Sequence, residues 1–278
     1  MTNLSELACH FRSLHTADRP LVLPNAWDIA SARIIAQAGA AAIATTSAGV
    51  AWDLGAADGG QVDRGAALDR LARITAAVDV PVTADIEDGY AQSADGVAET
   101  IRAVLAAGAV GVNVEDGARP ALEHAQRIAV ARAAADAEGV PLFINARIDV
   151  YLAGIGPAAD RLDETLKRAA DCLAAGADGI FVPGVVEGAT VEALARGIDA
   201  PLNVMAGPGA PGTAELAKLG AARISVGAGI AQAVHALVRD AARELLGAGT
   251  YTALSGGYGY QELNTLMGTD QGLSAEVC

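Results

Sequence analysis

Four prolines divide this chain into near-equal quarters. Pro20, Pro81, Pro141 and Pro201 lie 61, 60 and 60 residues apart by subtraction, and each opens a short apolar run: LVLPN, VTADIE, LFINARID and LNVMAG. Between them a Gly-Ala pair closes an Ala-rich helical pattern and feeds another strand, at Gly39-Ala40, Gly108-Ala109, Gly176-Ala177 and Gly220-Ala221. Proline is tolerated at a strand's first residue, and glycine is the usual residue just past a helix end. Eight strands result. Each is followed by a helical stretch, over about 28–38, 64–78, 95–107, 121–137, 161–175, 189–197, 213–219 and 229–246. Strict β/α alternation with near-continuous apolar strands means a parallel sheet, and eight such units mean a (β/α)8 barrel of the TIM type. A doubly wound open sheet accounts less well for four equal quarters, and no GxGxxG follows the first strand. Residues 1–278 therefore read as one barrel domain. It carries a leading helix over 1–19 and a C-terminal tail over 250–278, in which 260–267 forms a last short helix.

Such a barrel needs a large core, and 278 residues of which 52% are hydrophobic supply one. The formal charge of −14 argues against nucleic acid and anionic membrane surfaces as partners. Cys9, Cys172 and Cys278 are odd in number and far apart, with no CxxC, which suits reduced thiols in a cytoplasmic protein. No basic segment followed by an apolar core opens the chain, so no signal peptide is expected. The uncharged run between Arg33 and Asp53 is rich in Ala, Gly, Ser and Thr. It divides into helix end, turn and strand rather than forming a membrane span.

The polar residues of the strands are unevenly distributed. The third strand runs straight into acids in the stretch TADIEDGY, residues 83–90. Alternate side chains of an extended chain share a face, so Thr83, Asp85 and Glu87 point one way and Val82, Ala84 and Ile86 the other. The same alternation separates Asn113 and Glu115 from Val112 and Val114, and Asn145, Arg147 and Asp149 from Ile144, Ala146 and Ile148. The apolar parity belongs against the outer helices, so the polar parity lines the interior and the mouth. Barrel interiors are usually filled by bulky branched residues, and active sites sit at the C-terminal strand ends. Polar inward positions on three neighbouring strands therefore mark a site.

Asp85, Glu87 and Glu115 form a hard-oxygen donor set with no His or Cys beside them, which suits Mg²⁺ or Mn²⁺. The alternative is a structural network in which Arg147 neutralises the acids. One guanidinium against three carboxylates leaves the charge unbalanced, which favours the metal. Arg147 is then placed to clamp a substrate carboxylate, and the turn at 45–49 offers N–H groups and hydroxyls to a developing oxyanion. Asp58, in a glycine-rich loop, is a weaker candidate, since a lone loop Asp is more often a turn-former. Lys167 and Lys218, the only lysines, fall on helical stretches, which disfavours Schiff-base chemistry. The glycine-rich stretches MAGPGAPG and SVGAG fall where barrels commonly bind phosphate, which keeps a sugar-phosphate enzyme open.

Six pieces, LPNAWD, TTSAGVAWDLGAADG, TADIEDGY, VNVEDG, INARIDVYL and DGIFVPG, resemble the isocitrate lyase/phosphoenolpyruvate mutase superfamily in that family's order. The resemblance implies a Mg²⁺-dependent lyase that forms or breaks a C–C bond beside the carbonyl of a small 2-oxo or 2-hydroxy acid, through an enolate. Carried over by position, Asp85, Glu87 and Glu115 match the metal-site acids. Arg147 matches the substrate-carboxylate arginine, Thr46, Ser47 and Ala48 the oxyanion turn, and Asp58 the acid near the substrate. Asn113 joins the substrate-binding set through its inward position. Glu87 stands where many members have Asp. The family's lyases carry a KKCGH loop after the fourth strand, and its mutases a longer Lys- and Asn-bearing one. Here residues 115–124 read EDGARPALEH, leaving Arg119, Glu123 and His124 as substitutes, with His124 the expected catalytic group. A phosphonopyruvate-type C–P enzyme and a non-catalytic 2-oxo-acid binding protein are the rival readings. Family members are commonly tetramers that exchange their last barrel helix, which implies a homo-oligomer, dimer or tetramer, built through 229–247 and the tail.

Overall fold

The computed structural model describes residues 3–16, 18–117 and 119–268. Cys278 and the end of the expected tail, the first two residues of the leading segment and Ala118 of the 115–124 stretch lie outside the described residues. Nine parallel strands form one sheet: β1 (Leu21–Leu23), β2 (Asn25–Ala26), β3 (Ile43–Thr45), β4 (Val82–Asp85), β5 (Gly111–Glu115), β6 (Phe143–Arg147), β7 (Gly179–Val182), β8 (Leu202–Met205) and β9 (Ala221–Ser225). Their order, β1-β9-β8-β7-β6-β5-β4-β3-β2, returns to its starting point, as a barrel requires.

The ninth strand is a broken first one. Proline has no N–H to give a ladder, and Pro24 interrupts the stave between β1, which pairs with β9, and β2, which pairs with β3. Its carbonyl still accepts from Ala44 N–H at 3.2 Å. The expected eight staves are thus present, the first in two pieces. The other strand-opening prolines fall where the spacing puts them, immediately before β4 and β8 and two residues before β6. The Gly-Ala pairs also behave as read. Gly39, Gly108, Gly176 and Gly220 take φ of 92°, 90°, 103° and 95°, the left-handed region in which a helix is ended at no steric cost to glycine.

Outside the barrel lie α2 (Ile29–Gln37), α4 (Arg64–Thr75), α5 (Ala94–Ala106), α6 (Ala121–Ala137), α7 (Arg161–Ala174), α8 (Gly188–Gly197), α9 (Thr213–Lys218) and α10 (Gly229–Gly247). An unexpected helix, α3 (Ser47–Asp53), begins within the stretch read as a turn. Its cap is Thr46, whose side chain accepts from Gly49 N–H. Asp28 of LPNAWD turns out to be the cap of α2, in a reciprocal box with Ser31. The apolar strand parity, including Val82, Ala84, Val112, Val114, Ile144, Ala146 and Ile148, packs into the main core.

The leading helix is shorter than expected, α1 (Leu4–Ser13), and it plugs the N-terminal end of the barrel. Its Ala8 and Phe11 form a second core with Leu21, Leu23, Ala42, Ala44, Val110 and Phe143. Gly111 makes room for this plug, because a Cβ there would lie 2.7 Å from Phe11 Cε1 and 2.8 Å from Thr83 Oγ1. The last barrel helix behaves differently. Among the described residues of α10 only Ala231 is buried, while Leu237, Val238 and Leu246 are 52%, 63% and 87% exposed. Beside β1, whose Val22 is also exposed, runs a groove of about 740 Å³ with Leu14, Ile35 and Ile230 on its walls. The short last helix, α11 (Tyr260–Gly268), docks on α2, where Arg33 donates to the carbonyls of Leu266 and Met267. No described helix is long and apolar enough to cross a membrane.

Because Phe11 and Thr83 both hem in Gly111, Gly111→Ala should destabilise the protein by about 1–3 kcal/mol in denaturant unfolding. A change under half of that would show that α1 does not seat as described.

Candidate active site

At the C-terminal strand ends lies a cavity of about 470 Å³. Seven residues singled out from the sequence line it together: Thr46, Ser47, Ala48, Asp58, Asp85, Asn113 and Arg147. They arrive from five places on the chain, the start of α3, the loop after it, the ends of β4 and β6, and the middle of β5.

Asp85 is the last residue of β4, and its N–H donates to Thr45 Oγ1 at 2.9 Å, tying it to the neighbouring strand. One carboxylate oxygen, Oδ2, accepts from Ser47 Oγ at 3.1 Å and from Ser47 N–H at 3.4 Å. The other, Oδ1, is buried with no partner among the described residues. Burial pushes this carboxyl up from its ordinary value, Arg147 and Ser47 work against that, and Asp58 adds to it.

Glu87 departs from the alternation that grouped it with Asp85. β4 ends at Asp85, and Glu87 takes φ 50°, so the chain has already turned; Tyr90 follows at φ 49°. Non-glycine residues in this region are strained, and such strain is retained where surrounding contacts impose it. Here the contact is to the loop after α3, because Glu87 Oε2 accepts from Gly60 N–H. Oε1 is buried without a partner, and burial raises the carboxyl to about 7 against the pull of Gly60, with Asp58, Asp85 and Asp88 raising it further.

Glu115 closes β5 and is engaged by Arg147, whose Nη1 lies 2.6 Å from Oε2. Burial lifts Glu115 to about 8; Arg147 opposes this, and Asp85, Asp149 and Glu87 reinforce it. Arg147 also gives Nε to Asp149 Oδ1 at 2.7 Å and lies 5.8 Å above the Phe181 ring. Burial disfavours its charge, but Glu115, Asp85 and Asp149 outweigh burial and hold it more firmly protonated than usual. Only Nη2 lacks a protein partner among the described residues, so the expected two-pronged clamp is reduced to one wholly free nitrogen.

As the side chains stand, no three or more His, Cys, Asp or Glu among the described residues converge to hold one ion. Asp85 keeps one oxygen without a partner, whereas Glu87 and Glu115 are engaged by Gly60 and Arg147 and do not line the cavity. The donor chemistry nevertheless fits a hard divalent cation. Two buried carboxylate oxygens have no partner, and the acids around Arg147 outnumber it. Mg²⁺ ordinarily takes only one or two protein carboxylates and keeps several waters.

His124 does not line the cavity, which corrects its expected catalytic place. It sits buried in the first turn of α6 with neither ring nitrogen bonded, and burial, then Arg168, Arg119 and Arg127, lower it to about 3. The neutral ring is thereby walled off rather than poised. Around it the connection from β5 to α6 is firmly pinned. Arg119 pairs with Asp88 and with Glu123, the latter at 3.2 Å. Arg127 donates to the carbonyls of Asp88, Ala91 and Gln92 at 2.8–3.0 Å. Asp116, fully buried, accepts from Asp149 N–H and from Arg168, both at 2.8 Å, and Arg168 also holds the Arg119 carbonyl.

Sequence reasoning passed over Trp52, Phe181, Met205 and Gln232 on the cavity wall. Strand parity would have found Phe181, which shares its face with Gly179; the others depend on how α3, the 205–208 loop and α10 pack.

Fold and site together define a (β/α)8 enzyme with two acids and an arginine on the wall of its mouth. The family model for phosphoenolpyruvate phosphomutase matches residues 11–246, and the chain belongs to that family, within the isocitrate lyase/PEP mutase superfamily. It is 37% identical over 236 residues to an uncharacterized protein of Mycobacterium tuberculosis, covering 81% of this chain and 86% of that one. It is 30% identical to the 2-methylisocitrate lyase of Escherichia coli over 69% of this chain and 67% of the other. A solved structure from Burkholderia cenocepacia, provisionally termed a phosphonomutase, is 46% identical with a TM-score of 0.81, over 84% of this chain and 98% of that one. At 22% identity, phosphonopyruvate hydrolase solved with oxalate and Mg²⁺ shares the fold at a TM-score of 0.81, over 94% and 95%.

Glu87 and Glu115 hold protons in the folded protein well above their ordinary value of 4.5. A carboxyl raised on folding makes the folded state bind more protons, so stability falls as pH rises toward the folded value. The buried histidines titrate oppositely, but their effect is half spent at 6.5 and fades above it, leaving the acids dominant. Between pH 6.5 and 8 the metal-free protein should therefore lose melting temperature, and Glu115→Gln should flatten that slope. A wild-type curve that is level or rising there would contradict the charge arrangement described.

Proposed function

We propose that the protein is a Mg²⁺-dependent carbon–carbon lyase, with Mn²⁺ as a substitute, acting on a small 2-oxo or 2-hydroxy carboxylic acid through an enolate. The observation that supports it most is the charge at the mouth. Asp85 and Glu87 each keep a buried oxygen without a partner, and the acids around Arg147 outnumber its one positive charge, an arrangement that resists burial without a cation. Asp85 would hold the ion, with Glu87 and Glu115 as the flanking acids. When bound, a divalent ion there supplies Lewis-acid polarisation of a carbonyl.

The chain's own groups divide the remaining work. Arg147 Nη2 takes a substrate carboxylate while Glu115 and Asp149 hold its plane fixed. Ser47 orients Asp85. Ala48 N–H, an uncommitted first-turn amide of α3, donates to the enolate oxygen, a kind of contact that elsewhere is worth about 3 kcal/mol in the transition state. Apart from Asp85 and Arg147, the one ionisable side chain lining the cavity among the described residues is Asp58. A 2-hydroxy acid must lose its hydroxyl proton to a base as the bond breaks, and Asp58 is the carboxylate left to take it.

Proton and carbon NMR on the purified, Mg²⁺-loaded protein, with a panel of 2-oxo and 2-hydroxy acids, should show cleavage. Asp85→Asn and Arg147→Met should each lower kcat/KM by about 100-fold or more. Absence of magnesium-dependent turnover on every acid would sink the reading. Conversion of phosphonopyruvate alone, followed by phosphorus NMR, would replace it with C–P chemistry.

The exposed apolar side of α10 and the groove beside β1 support a homo-oligomer in which a second copy covers both. Light scattering should give a mass above one chain, and Val238→Asp with Leu246→Asp should lower it. A wild-type monomer at micromolar concentration would refute the assembly.

A further inference from the structure

Arg223, on β9, is the largest fully buried side chain among the described residues, at 1% exposure, and none of their carboxylates lies within ion-pair distance of it. Its one side-chain hydrogen bond is from Nη2 to Asn113 Oδ1 at 3.1 Å, while Nε and Nη1 have no partner among the described residues. A guanidinium is costly to bury, and nothing in the core repays it with an ion pair. What it does hold is one end of a residue on the cavity wall.

Asn113 Oδ1 accepts a second bond, from Asn145 Nδ2 at 2.9 Å; that nitrogen also serves Asn203 Oδ1 at 3.1 Å. Asn113 Nδ2 donates to no protein atom among the described residues, and the residue lines the cavity. Ordinarily the two ends of an amide are hard to tell apart, but here chemistry decides. A guanidinium has only donors, so the Asn113 oxygen must face it. Turning the amide over would oppose donor to donor in a dry interior.

We propose that Arg223 is a positioning residue: it locks the Asn113 amide with its NH₂ group toward the cavity, making Asn113 a fixed donor to a substrate oxygen anion. Asn145 bears on the same oxygen from the neighbouring strand and completes the lock. The donor needs no rearrangement when the anion arrives, which is the property that makes such groups effective. This inference rests on the proposed use of the cavity for a 2-oxo or 2-hydroxy acid, and it adds a second donor opposite the start of α3.

Oxalate, a planar dianion shaped like an enolised 2-oxo acid, serves as the probe in titration calorimetry with Mg²⁺-loaded protein. Asn113→Ala should weaken oxalate about tenfold. Arg223→Met should weaken it by a similar factor, and should cost nothing further when Asn113 is already Ala. Arg223→Lys, which keeps charge and one donor but not the fork, should recover most of the loss. Equal losses from Arg223→Met in both backgrounds, or none in either, would overturn the inference. Should the Met variant not fold, the same cycle run with Arg223→Lys decides, a smaller loss being expected only where Asn113 is intact. Wild-type protein that takes up no oxalate would instead overturn the functional reading, and the inference with it.

Discussion

The mouth of this barrel is organised by Arg147. Its guanidinium is the one cation among the described residues that line the cavity, it pairs with Glu115 and Asp149 behind the wall, and it lies over the Phe181 ring. Opposite charges that share a buried site hold one another in place, and removing one partner leaves the other stranded. Through Asp149 the arginine is linked to Asp116, through Asp116 to Arg168, and through Arg168 to the backbone at Arg119. The described residues of the β5–α6 connection are thus tied by charge and hydrogen bonds to the end of β6.

The loop after α3, which carries Asp58, contains Gly55, Gly59 and Gly60, all at positive φ, and Glu87 holds it through Gly60 N–H. Glu87 is therefore the acid that reaches this loop.

Much of this was legible in the residues. Proline and glycine spacing marked the barrel because both act locally: proline withholds a donor, and glycine ends a helix at positive φ. Strand parity brought Asp85, Asn113 and Arg147 to one cavity because a side-chain period of two is rigid for as long as the strand lasts. It misled at Glu87, one turn past the end of β4, where backbone direction depends on contacts with Gly60. His124 was misplaced for a related reason. Its sequence position is next to the mouth, but the phase of α6 turns it into a pocket of arginines, and no local signal reports that phase. The start of α3 was hidden because Ser, Ala and Gly read equally well as a turn, and the Thr46 cap shows its role only in three dimensions. Arg223 is inward by its position on β9, yet nothing local distinguishes a buried arginine from one that reaches solvent.

The helix α10 sets two scales of behaviour against each other. Its first turn, at Gly229 and Gln232, belongs to the cavity wall, while the rest of its length presents Leu237, Val238 and Leu246 to whatever lies outside the protomer. Were a second copy to seat the outer half, as proposed, it would also bear on the turn that lines the cavity, and the cavity's shape would then depend on protein concentration.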